Sequence, residues 1–271
     1  MKDVKTFKEA TAVVAKDGAL EAELDAVWAV GDKLHGGYLM AVLGRAVETR
    51  AEHPHLVAMT TTFLRPPAAG RATVTVELLR AGRTAGQYRA RLEQDGQPCA
   101  EALVTQGVLD ASAPWWGRAE PPALPPEDEC MLLPSQAAGT PFPVPLLDIV
   151  EHRLDPAVLG FAAGRPSQQG RTAGWVRFAS NEDWDPLSLL IAADPAPPIS
   201  LTLGLTSWAP TLSLTAYVRR LPAPGPVRFT MRSSEITSGR MDEIVEVWDS
   251  ADTLVAQATQ LAAVRVPDPA A

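Results

Sequence analysis

LEQDGQPCAEALVTQ (residues 92–106) and EVWDSADTLVAQATQ (residues 246–260) carry the same signals in the same order: a strand end, a turn, and a second strand closing on a Thr-Gln pair. Gln106 and Gln260 lie 154 positions apart, and so do Asp95 and Asp249. An offset that holds across both a turn and a strand predicts a duplicated chain. Upstream of each stretch the order of signals also repeats, with an apolar helix first and alternating strands after it. In the first half, Leu39, Val42, Leu43, Ala46 and Val47 recur at helical spacing behind the His35-Gly36-Gly37 turn, which predicts a helix with one buried face. Val74, Val76 and Leu78, then Tyr88, Ala90 and Leu92, alternate with polar residues as strands do, and Asp95-Gly96 is a hairpin turn.

In the second half Asp185-Pro186 is a helix start, an N-cap followed by Pro at the first helical position, and Leu187, Leu190 and Ile191 form its apolar stripe until Pro195 stops it. Strands resume with TLSLTAYVR (211–219), VRFTMRSSEI (227–236), EIVEVWDS (243–250) and LVAQATQLAAV (254–264). Between the halves, SAPWWGRAEPPALPPEDE (112–129) and LLPSQAAGTPFPVPL (132–146) hold too much Pro for a regular helix or a central strand. The expected organisation is therefore an N-terminal unit over 1–110, a Pro-rich linker over 111–147 and a C-terminal unit over 148–271, in an α+β architecture where each helix covers one face of an antiparallel sheet. The tail VPDPAA (266–271) is expected to be disordered.

The 271 residues, 46% of them hydrophobic, suffice for a substantial core. A formal net charge of -8, with no long run of Lys or Arg, argues against a nucleic-acid or anionic-membrane surface and for a small-molecule partner. No stretch has the length and apolarity of a membrane span, and the charged start MKDVKTFKEA lacks a signal peptide's apolar core, so the expected compartment is the cytoplasm. Two Cys (Cys99, Cys130) exclude a disulfide framework, and four scattered His form no metal-ligand cluster, so no metal or cofactor is expected.

Two polar residues stand where apolar ones are expected, and a third, Thr211, opens a strand between them. Continuing the stripe of Leu187, Leu190 and Ile191 puts Asp194 on the buried face, where partial burial makes a carboxylate a better base near neutral pH. The plainer alternative is a loop Asp that fixes the turn at Pro195. Gln260 shares its strand face with Ala258, Ala262 and Val264, so its amide needs partners; a purely structural Gln is the alternative. Strict alternation places Thr211 with Ser213, Thr215 and Tyr217, a position where Thr is ordinary.

DGALEAELDAVWAVGDKLHGGYLMAVLGRA (17–46), FLRPPAAG (63–70) and AQATQLAAVR (256–265) together make the chain similar to the acyl-CoA thioesterase II (TesB-like) family of double hotdog proteins. The resemblance covers most of the chain. It implies a double hotdog of two tandem halves, each with a long helix packed on an antiparallel sheet, and a thioester hydrolase that acts on an acyl-CoA. It implies Asp194, Thr211 and Gln260 at the catalytic positions, and further self-association of a chain that already resembles an internal dimer. The strand from Thr211 departs from the family, whose members often carry an acidic residue and a His just after the Thr; this bears on substrate preference. The 154 offset sets Met40 opposite Asp194 and Val57 near Thr211, so one site per chain is expected.

On this reading Asp194 accepts a proton from water that Thr211 and Gln260 hold in line with the thioester carbonyl. Gly36 and Gly37, at a helix N-terminus with free N–H groups, are the candidate oxyanion and substrate-binding residues, Gly37 first, although they also serve as the turn into the helix. Trp28, Trp175 and Trp208 either line the acyl pocket or fill the core, and Arg65 or Arg219 is within the candidates for CoA phosphates. No G-x-S-x-G elbow is present, which removes an α/β-hydrolase mechanism. Two rivals remain. One is a hotdog enoyl-thioester hydratase or dehydratase, which needs a His beside an acid, and no His matches in the second-half helix. The other is a non-catalytic acyl-CoA or lipid-binding protein.

Overall fold

The computed structural model describes residues 5–136, 142–206 and 209–267; the notable Trp208, part of the Pro-rich linker and the last residues of the tail lie outside them. The first half runs α1 (Phe7–Ala10), β1 (Val13–Lys16), β2 (Ala19–Leu24), a small hairpin of β3 (Ala29–Val30) and β4 (Lys33–Leu34), α2 (Gly36–Glu48), β5 (His55–Phe63), β6 (Gly70–Ala81), β7 (Gly86–Gln94) and β8 (Gln97–Gly107). The second runs β9 (Met131–Leu132), β10 (Val150–Leu154), β11 (Arg171–Phe178), α3 (Leu189–Ala192), β12 (Thr211–Val218), β13 (Val227–Arg232), β14 (Ile236–Thr237), β15 (Arg240–Trp248) and β16 (Leu254–Ala263).

All but β3 and β4 join one antiparallel sheet, with β5 of the first half hydrogen-bonded to β12 of the second. Outward from this seam the first half reads β5, β8, β7, β6, β2 and the second reads β12, β16, β15, β13, β11. Each of these five strands thus has a counterpart of the same rank in the other half, and α2 has its counterpart in α3. The two halves share a hotdog plan, and the duplication legible in the sequence is visible in the topology. At the seam Thr60 pairs with Thr215, their hydroxyls 3.1 Å apart. Among the described residues of the Pro-rich stretch only the two-residue β9 joins the sheet, at its edge, where missing N–H donors do least harm.

The offset changes across each hairpin. Gln106 lies opposite Gly86, whereas Gln260 lies opposite Glu243, because two residues separate the paired Gln94 and Gln97 but five separate Trp248 and Leu254. Asp95 and Gly96 adopt the left-handed conformations of a tight hairpin. Asp249 instead closes the longer loop by accepting N–H bonds from Ala223, Ala251 and Thr253.

Two expectations about the helices need correction. The second-half helix is not long: α3 is a single turn, started by the reciprocal bonds between Asp185 and Ser188 and stopped by Pro195, Pro197 and Pro198. Nor does α2 bury only one face. Tyr38, Met40 and Ala41 are as buried as the predicted stripe, because the sheet curves round one side and α3 closes the other. The two helices approach so closely that a Cβ on Gly37 would sit 2.4 Å from the Leu190 carbonyl oxygen, and one on Gly44 would sit 2.5 Å from a Leu187 methyl. Cys99 and Cys130 are buried and unpaired, and among the described residues no helix is long and apolar enough to cross a membrane.

Gly37→Ala forces backbone against backbone and is expected to lower the urea unfolding free energy by about 2–4 kcal/mol. Gly44→Ala meets only a rotatable side chain and should cost less than half of that. Equal costs would show that the crossing is not fixed at Gly37.

Candidate active site

Asp194 follows α3 at the point where that chain segment meets the N-terminus of α2. Its Oδ2 accepts the Gly37 N–H at 2.9 Å, and its side chain is 12% exposed. The first free N–H groups of a helix carry partial positive charge, and at the end of α2 one of them finds its acceptor in this side chain. His35, the N-cap of α2, closes over the other side. Its Nε2 lies 2.6 Å from the Asp194 carbonyl oxygen and 3.2 Å from Oδ2. A carbonyl only accepts, so the Nε2 carries hydrogen and clamps the Asp194 backbone. Gly36 is required here as well, since a Cβ on it would meet Asp194 Oδ2 at 2.8 Å and Phe63 at 3.2 Å.

Thr211 comes into the same cleft by a departure from strict alternation. Thr211 pairs with Ala262 and Ser213 pairs with Leu261, leaving Leu212 as a bulge without a partner. The extra residue turns Thr211 from the Ser213 face, where alternation placed it, to the inner face that carries Gln260. There the Thr211 hydroxyl donates to Gln260 Oε1 at 2.8 Å. The first half keeps the bulge, at Val57 between Leu56 and Ala58, but the buried Leu56 stands at the Thr211 position and the buried Met40 keeps its place in α2.

Behind Gln260 stands a residue that the sequence analysis missed. Glu243, 1% exposed, accepts the Gln260 Nε2–H bond on Oε2 and the Ile199 N–H on Oε1 at 2.9 Å. Burial pushes its carboxyl up to about 7, and the charges of Asp194 and Asp242 add to this against the two hydrogen bonds. Its signal was in the sequence: Glu243 alternates with the buried Met241, Val245 and Val247 as an inward-facing acid. His35 was seen only as part of a turn, because its partner lies 159 residues away.

These residues line one cleft of about 330 Å³. Its walls are mainly apolar, including Val30, Leu34, Leu39, Phe63, Leu64 and Leu212, and Lys33 and Arg65 also line it. Such a cavity, apolar with a few converging polar groups, suits an organic ligand with one polar reacting centre. Trp28 instead stacks on Tyr38 in the core, Trp175 bonds the Pro125 carbonyl, and Arg219 lies over Tyr217 away from the cleft. No group of His, Cys, Asp and Glu among the described residues could hold a metal.

A family model described as the acyl-CoA thioesterase C-terminal domain matches residues 118–264, and its N-terminal counterpart matches residues 24–107. An uncharacterized protein of Mycobacterium tuberculosis is 30% identical over 269 residues, covering 90% of both chains. Among solved structures, one described as a thioesterase II from Thermobifida fusca superposes with a TM-score of 0.87 at 31% identity, over 98% of this chain and 100% of that one. A hot dog protein from Alicyclobacillus acidocaldarius gives 0.85 at 21% identity, over 98% and 100%.

The raised Glu243 value has a consequence for stability. Its ordinary value is 4.5, so the folded chain holds this proton more tightly than the unfolded chain. The resulting stabilisation is complete below pH 4.5 and is lost as the pH rises through about 7. Glu243→Gln, neutral throughout, should reduce the fall in unfolding free energy between roughly pH 5 and pH 8 by on the order of 2–3 kcal/mol, read by urea titration. An unchanged slope would place the proton elsewhere.

Proposed function

Because the chain belongs to the acyl-CoA thioesterase family and is a thioester hydrolase, we propose that it hydrolyses a fatty or related acyl-CoA to free acid and CoA in the cytoplasm, with Asp194, Thr211 and Gln260 as its catalytic residues. The observation that carries this reading is the convergence of the three polar side chains and the N-terminus of α2 on one apolar cleft. Water, held by Thr211 and Gln260, loses a proton to Asp194 as its oxygen bonds the carbonyl carbon. The oxyanion so formed faces the positive end of α2, at Gly36 and Gly37. In the resting site the Gly37 N–H is engaged by Asp194, and it becomes available as that carboxylate turns to the water. When the carbonyl reforms, the C–S bond breaks and the proton passes from Asp194 to the CoA thiolate. No covalent intermediate and no cofactor enter the scheme.

The same proposal takes residues 1–110 and 148–271 as the two hotdog units and 111–147 as the linker. The matched rank of their strands supports this division. Lys33 and Arg65 are the cations best sited for CoA phosphates.

Hydration of an enoyl thioester gains one observation, the 3.2 Å approach of His35 to Asp194. Against it, the His35 Nε2–H is committed to a backbone carbonyl rather than facing the cleft.

The test is release of free CoA thiol from short, medium and long acyl-CoAs, with an enoyl-CoA included. The wild type should hydrolyse part of the panel, and Asp194→Asn should lower kcat by at least about 100-fold with KM little changed. Thr211→Val and Gln260→Ala should each cost about 10- to 100-fold. Wild-type activity in Asp194→Asn would sink the assignment, water addition without thiol release would favour the hydratase, and binding without turnover would favour a carrier role.

A further inference from the structure

A carboxylate can only accept hydrogen bonds, and this limits what the polar chain behind the cleft can do. Glu243 Oε1 is taken by the Ile199 N–H, and Oε2 faces the side-chain amide of Gln260. The amide must therefore turn its nitrogen to Glu243 and its oxygen to Thr211. That obliges the Thr211 hydroxyl to donate inward, as it does at 2.8 Å. Its lone pairs are then the only hydrogen-bonding groups it offers to the cleft.

We propose that Glu243 is a positioning residue that sets the direction of the hydrogen bonds from Thr211 to Gln260, so that Thr211 holds the attacking water by its hydrogen. This rests on the thioesterase reading above. Water that donates one hydrogen to Thr211 and the other to Asp194 keeps both lone pairs of its oxygen, one to meet the second Gln260 N–H and one for the carbonyl carbon. With the chain reversed, Gln260 donates to Thr211 and the threonine hydroxyl donates to the water. The threonine hydroxyl then engages a lone pair of the water, which makes its oxygen a weaker nucleophile for the new C–O bond. Glu243, 1% exposed at the back of the cleft, acts through Gln260.

The direction of the chain depends on the ionisation of Glu243, which in its neutral form becomes a donor to Gln260. Burial, with the charges of Asp194 from the α3 end and Asp242 on its own strand, brings that change to about 7. The other ionisable groups on the cleft are His35, Lys33 and Arg65.

Glu243→Gln is the discriminating variant, because it keeps the shape and removes the acceptor-only constraint. With its oxygen on the Ile199 N–H, its amide nitrogen faces Gln260 and reverses the chain. The expected result is a 10- to 100-fold fall in kcat with KM changed less than threefold, and an acid limb with a midpoint near 7 in the wild type that moves to lower pH in the variant. In a Gln260→Ala background the same substitution should cost less than twofold, whereas a role in supporting the Ile199 loop would cost as much as before. The side-chain amide of Gln260, identified in nitrogen-edited NMR spectra by its loss in Gln260→Ala, should shift with a midpoint near pH 7 in the wild type and stay fixed in Glu243→Gln. Wild-type kcat in Glu243→Gln, full additivity with Gln260→Ala, or a pH-invariant Gln260 amide would each overturn the proposal. Loss of activity in Asp194→Asn alone upholds the thioesterase reading whichever way Glu243 behaves. A wild type inactive on every acyl-CoA removes that reading and leaves the amide titration to decide the hydrogen-bond direction.

Discussion

The contact on which the rest of this molecule depends is the crossing of α2 over α3 at Gly37 and the Leu190 carbonyl. Only a residue without a Cβ allows two backbones to come so near, and the nearness has two results. It closes the far side of α2, so that a helix buried nearly all round can exist in a chain of this size. It also sets the N–H groups of the α2 N-terminus directly before the carboxylate that follows α3. Packing and electrostatics are here one geometric fact. The N-terminus of α2 has the Asp194 side chain to meet only because the helices touch, and the Asp194 oxygen finds a donor in a mostly apolar wall only because that helix end is there.

Much of this was legible in the sequence, and what escaped has identifiable causes. The repeat was readable because strand alternation is local and both halves kept it, although the turns at Asp95-Gly96 and at Asp249 are built differently. The extent of α2 was readable too, while the burial of its Met40 and Tyr38 was not, since the neighbours that cover them come from the second half. Asp194 and Gln260 showed themselves as polar residues on apolar faces. Thr211 was assigned to the wrong face, because a bulge changes the parity of a strand without any mark in composition, Leu212 being an ordinary strand residue. Glu243 broke the apolar alternation of its strand as plainly as Gln260 did and was overlooked. His35 gave no local signal, because its meaning lies in a residue of the other half.

The polar side of the cleft is built in depth. Thr211 and Gln260 sit on adjacent strands, and Glu243, one strand further, is nearly sealed from solvent. Burying an acid so fully has a cost, which the structure limits by giving both carboxylate oxygens a donor and by holding the carboxyl close to neutrality. The apolar side has no such constraints, which is why a cleft of this kind accommodates changes in ligand shape more readily than changes in reacting chemistry.

The seam between β5 and β12 has one more consequence. In a symmetric pair of separate chains, every residue appears twice, and a change that helps one copy of a site is imposed on the other. Joining the copies in a single chain lifts that obligation. Leu56 and Thr211 can differ, as can Met40 and Asp194. One half has become a scaffold that lends a helix end to its neighbour, and the other has kept the polar side chains. A pocket assembled from both is therefore the property of neither, and inheriting it whole requires the two halves to travel together.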